Sequence, residues 1–153
     1  MGIDAAHAVL NLTTGRESAE KHAVRDFIAR CNSGGDAWKL LSENVIVTVN
    51  GTTPLSGRFP GLELVRGILV DSARVVIQSL EIEIRELIGK GARVAALLRL
   101  SGLSTRGVSF NEEGRVCSCV FSVSAGRIEE IALFPDTSLI EIALYGRRYV
   151  SDV

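Results

Sequence analysis

A chain of 153 residues with 46% hydrophobic and 23% charged side chains has the make-up of one globular domain, long enough to bury a continuous core. Its formal net charge of −1, with Arg147-Arg148 the only adjacent basic pair, leaves no cationic face for nucleic acid. No apolar run approaches the ~18–20 residues that span a bilayer, and the N-terminus lacks the basic and apolar regions of a secretory signal, so no membrane partner and a cytoplasmic location are expected.

Thr14-Gly15-Arg16-Glu17 has capping-box spacing, and a helical stripe follows through Ala19, Ala23, Val24, Phe27, Ile28 and Cys31. His22 falls opposite that stripe, beside Lys21 and Arg25, and reads as a solvated surface residue. The run Asn32-Ser33-Gly34-Gly35-Asp36 ends the helix, and Asp36 can cap a short second one carrying Trp38 into the core. Val45–Val49 is strand-like, and the Gly-, Pro- and Ser/Thr-rich stretch from Gly51 to Gly61 reads as a loop. A third helix, Leu62 to Ser72, is apolar on more than half its circumference and is expected to be well buried. The period then changes to two. Leu80, Ile82 and Ile84 alternate with Glu81, Glu83 and Arg85, and turns at Gly89-Lys90-Gly91, Asn111–Gly114 and Ser124-Ala125-Gly126 divide the rest into further strands.

These elements predict one α+β domain over residues 1–153, with 1–15 a loosely attached extension, in which three helices cover one face of a curved, mostly antiparallel four-stranded meander. Cys117 and Cys119 share one strand face as small hydrophobes; with no histidine near them, neither a metal nor a cofactor is expected.

Three stretches, "FIARCNSGGDAWKLLSENVIVTVNG", "GRFPGLELVRGIL" and "VFSVSAGRIEEIALFPD", together resemble the SnoaL-like branch of the nuclear transport factor 2-like superfamily over about residues 19–145. The resemblance implies a cone: a strongly bent sheet wrapped around helices, enclosing an apolar pocket. It implies no single chemistry, because the superfamily includes cyclases, isomerases, dehydratases, epoxide hydrolases and non-catalytic pockets. A ketosteroid-isomerase-like site would need a tyrosine and two acids where this chain has Phe27, Thr48 and Cys119, so that activity is not expected. A scytalone-dehydratase-like site needs histidines in the strands, and the only two here are His7 and His22. A limonene-epoxide-hydrolase-like site would place Asp136 as the base and Arg99 as its partner, with Ser101 in place of the second acid and Ile46 and Thr48 in place of the water-holding residues. A SnoaL-like cyclase could use Asp136 alone as acid–base in an apolar pocket.

The expected site therefore has Asp136 and Arg99 as catalytic residues and Phe27, Trp38, Ile46, Thr48, Leu69, Leu97, Ser101, Val120 and Phe134 as ligand-binding walls. Two alternatives stay open for Asp136: an acid–base whose pKa desolvation raises, or the N-cap of a short terminal helix beginning at Thr137. Arg99 faces either the cavity or solvent. The chain is then either an enzyme on an apolar small molecule or a non-catalytic binding or protein-interaction domain with an apolar pocket. A homodimer is expected through the outer sheet face around Leu98, Cys117, Cys119 and Phe121.

Overall fold

The computed structural model describes residues 17–148. Most of the expected capping box and the N-terminal extension lie outside them. Helix α1, Ala19–Ser33, starts at Ser18, whose hydroxyl accepts the Lys21 N–H at 3.2 Å, and ends at Gly34, in the left-handed region at φ 72°. Val24 and Ile28 are its buried face. A single 3-10 turn, Ala37–Leu40, carries Trp38; Asp36 makes no capping bond to it and instead pairs with Lys39.

Strand β1, Leu41–Val49, extends further than the sequence indicates, and Gly57–Pro60, expected as loop, pairs with it as β2. A continuous helical run, α2, follows as Leu62–Leu64, a π-helical stretch Val65–Val70, and Asp71–Val76. It buries only its inner stripe. Leu64 and Ile68, within the stretch expected to be well buried, are exposed, as is Val75, because a lone helix on a single sheet layer has one covered side.

Strands β3 (Ile77–Ile88), β4 (Arg93–Ser104), β5 (Ser109–Phe110), β6 (Val116–Ser124) and β7 (Arg127–Phe134) complete a seven-stranded sheet in the order β2-β1-β7-β6-β4-β3, with β5 beside β4. The pairing is antiparallel except for β1 with β7, which is parallel. Register shifts at Ile84/Glu86 and Ser122/Val123 add twist, and the sheet curls into a half-barrel around the helices. Gly102 is required where β4 runs between β3 and β5: a Cβ there would overlap the Ser79 carbonyl oxygen and touch the Phe110 ring. Asn32, at the end of α1, closes part of the β3 edge by accepting the Ile82 N–H at 2.9 Å and donating to its carbonyl at 2.7 Å. The last element, α3, runs Thr137–Leu139 and continues as a π-helical turn, Ile140–Leu144. Among the described residues no helix is long and apolar enough to cross a membrane.

Candidate functional site: an apolar cavity with one polar corner

The sheet and helices enclose a cavity of about 410 Å³. Phe27 of α1, Trp38, and Leu69 and Ala73 of α2 form its helical side. The sheet contributes Val47 and Val49 from β1, Leu98 and Leu100 from β4, Cys117, Cys119 and Phe121 from β6, and Ile131 and Leu133 from β7. Phe121 and Phe27 meet edge to face, 6.2 Å between ring centres. Among the described residues, and apart from thiols and the Trp38 indole N–H, the polar side chains in the lining are Asn111, Arg115 and Asp136. Burial pushes the Cys119 thiol up to about 12 and raises that of Cys117, the latter helped by the nearby charge of Asp136. Both stay protonated near neutral pH and act as small hydrophobes.

Asp136 caps α3. Its Oδ1 accepts the Ser138 hydroxyl at 2.7 Å and the Leu139 N–H at 3.3 Å, and its Oδ2 lies 3.5 Å from Arg115 Nη1. The Ser138 bond is the largest cause holding this carboxyl below its ordinary value; burial opposes it, and the Leu139 N–H and Arg115 add to it. The desolvated, raised acid that the sequence allowed is therefore replaced by an ionised cap.

No sequence-family model and no curated protein matches the chain. Solved structures do. A nuclear transport factor 2-like protein of unknown function from Burkholderia pseudomallei K96243 superposes with a TM-score of 0.72 at 16% identity, covering 84% of this chain and 98% of that one. A cystatin-like protein of unknown function from Xanthomonas campestris gives 0.70 at 24% identity, with coverages of 84% and 98%. A protein described as a SnoaL-like polyketide cyclase, from Jannaschia sp. CCS1, gives 0.65 at 14%, with coverages of 86% and 95%. The chain has the nuclear transport factor 2-like fold.

Within this fold the strand residues expected in the cavity are on the wrong side. Ile46, Thr48, Leu97, Ser101, Val120 and Phe134 alternate with the residues that line it and lie on the outer face, as does Arg99. Phe27, Trp38, Leu69 and Asp136 do line the cavity. The same inversion moves Leu98, Cys117, Cys119 and Phe121, expected on the outer face, into the interior. Arg99 sits 3.6 Å from Glu83 across the outer face, packed against Gly114, and its buried Nε has no partner. It cannot serve Asp136 in the cavity.

Sequence reasoning missed Arg115, the cation that does stand beside Asp136. Asn111 sets it in place: buried and at φ 57°, it donates to the carbonyls of Leu100 (2.8 Å) and Arg115 (2.9 Å) and accepts the Arg115 N–H at 2.8 Å. Nothing in the local pattern marks Arg115, because its position depends on how β6 registers against β4.

Capping sets a measurable expectation. Asp136→Ala is expected to lose about 1 kcal/mol at pH 7, and Asp136→Asn much less, in urea unfolding. Because the folded pKa lies below its ordinary value of 3.8, the charged cap's contribution is present above that pH and disappears as pH falls through the folded value. The gap between wild type and Asp136→Ala is therefore expected to narrow below about pH 4.

Proposed function

We propose that this protein binds one apolar small molecule inside the cone, with the polar end of the ligand at Asp136 and Arg115. The observation that carries this is the lining itself: about 410 Å³ of cavity, within the ~300–1,000 Å³ usual for small-molecule sites, with its polar groups gathered in one corner. Among the described residues the cavity lining holds a single carboxylate and no tyrosine or histidine, and that carboxylate already accepts three contacts. Such a group is a weak base, which favours binding over proton transfer.

A second reading, cyclase-type proton abstraction by Asp136, is favoured by one feature: Oδ2 meets Arg115 only at 3.5 Å and stays open to a donor from a ligand. The test is a thermal-shift and turnover survey with uncharged polycyclic and diketone compounds. Stabilisation without turnover supports the binding role; turnover abolished in Asp136→Asn would establish the cyclase instead. Absence of both overturns the proposal.

The outer sheet face supports a homodimer. Neighbouring rows Ala95–Val120–Ala132 and Leu97–Ser118–Phe134 are apolar or small, and Arg99 with Glu83 and Arg93 with Glu130 put both charge signs around them, which suits a self-complementary twofold contact. Light scattering at micromolar concentration is expected to give the mass of two chains, and Val120→Glu that of one; a wild-type monomer contradicts the dimer.

A further inference from the structure

Trp38 stands between two hollows. On one side it lines the apolar cavity; on the other it lines a surface groove of about 450 Å³ shared with Glu63, Arg66, Gly67, Asp71 and Arg74. Among the described residues Val70 is the only other one common to both linings, so at this place two side chains separate the interior from the surface. The elements on either side of that wall are irregular. Trp38 rides on a single 3-10 turn that follows Gly34 and Gly35 and lacks a side-chain cap. Val70 ends the π-helical stretch of α2, a wide register that recurs in helices at functional sites.

Trp38 packs against the core cluster on its inner side, and one contact engages it from the groove. The Arg66 guanidinium lies 4.6 Å from the centre of the Trp38 ring, in a groove that Glu63 and Asp71 also line. Beside it, a Cβ on Gly67 would meet nothing within 4 Å, which leaves the groove open where the indole would swing. Elsewhere the lining carries Arg115 and Asp136 together with the exposed Leu80 and Val116. The Trp38 side offers an aromatic and aliphatic threshold.

We propose that Trp38 is the door of a side passage into the cavity, and that Arg66 is its latch. The passage has a use only if the cavity binds apolar molecules, as proposed above. Because the latch stabilises the closed door whether or not the cavity is filled, releasing it speeds arrival and departure alike and leaves affinity nearly unchanged.

The probe is N-phenyl-1-naphthylamine, uncharged and apolar, followed by stopped-flow energy transfer from Trp38, the only tryptophan in the chain. Arg66→Ala is expected to raise the association and dissociation rate constants together by about two- to fivefold, the factor corresponding to an exposed cation–π contact, with the dissociation constant changed less than about twofold. Arg66→Lys is expected to fall between wild type and Arg66→Ala. In the ligand-free protein, acrylamide is expected to quench Trp38 more readily in Arg66→Ala. Arg66 is exposed and outside the cavity lining, so far-ultraviolet dichroism should match wild type. Unchanged rate constants in Arg66→Ala, with the probe binding normally, would overturn the door while leaving the cavity as a binding site. Failure of the probe to bind wild type would overturn the cavity reading, and the door with it.

Discussion

Phe121→Ala is expected to lower the free energy of unfolding by about 3–5 kcal/mol, the range for truncating a buried aromatic side chain. Phe121 is 2% exposed, at the middle of β6, where it is at once core and cavity wall. Val94 and Ile131 pair with it on the flanking strands, and Phe27 meets its ring edge on. The neighbouring space is already hollow, so the surroundings gain little by collapsing into the volume removed. The loss should therefore sit in the upper part of that range. Urea denaturation followed by far-ultraviolet dichroism measures it. A loss under about 1 kcal/mol would mean that Phe121 does not bridge the helix and sheet layers as described.

Leu98→Asp and Leu97→Asp form a sharper pair, because adjacent residues on β4 face opposite worlds. Leu98 is 4% exposed inside the cone, and the one cation in the lining among the described residues, Arg115, already faces Asp136. An unpaired carboxylate there costs several kcal/mol, enough to abolish cooperative folding in a domain with about 5–15 kcal/mol of stability. Leu97 is half-buried on the outer face, so Leu97→Asp should keep a cooperative transition and weaken self-association. Thermal melts of the two variants decide the phase of the strand. If Leu97→Asp unfolds the protein and Leu98→Asp does not, the sheet is inside out relative to this description.

That phase is where the sequence was least legible. The hairpins were plain because Gly89, Gly91 and the Ala125-Gly126 pair take positive φ values at turns, and such positions punctuate a chain visibly. The inward face was not plain in β1 or β4. Val45 to Val49 and Ala95 to Leu100 carry apolar residues at both parities, so alternation assigns no side, and an error of one residue turns every side chain over. Two signals could have decided it. Ser118 and Ser122 mark the even positions of β6 as the outer face, and Arg99 itself marks its own parity as outward. Strand β2 was hidden for another reason: Gly57-Arg58-Phe59-Pro60 has no alternation of its own and is a strand only by pairing with β1. The corner of the site was half legible. Asp136 announced itself after Pro135; the Asn111 turn that holds Arg115 is local, but Arg115 reaches Asp136 only through the β4–β6 register, which is not.

The binding cavity is the centre of this account, and a crystal structure of the protein soaked with N-phenyl-1-naphthylamine tests it most directly. Density for the probe is predicted among Phe27, Leu69, Leu98 and Phe121, with its amine turned toward Asp136 and Arg115. An empty interior, with the probe seated on the outer face against Leu97, Val120 and Phe134, would contradict it.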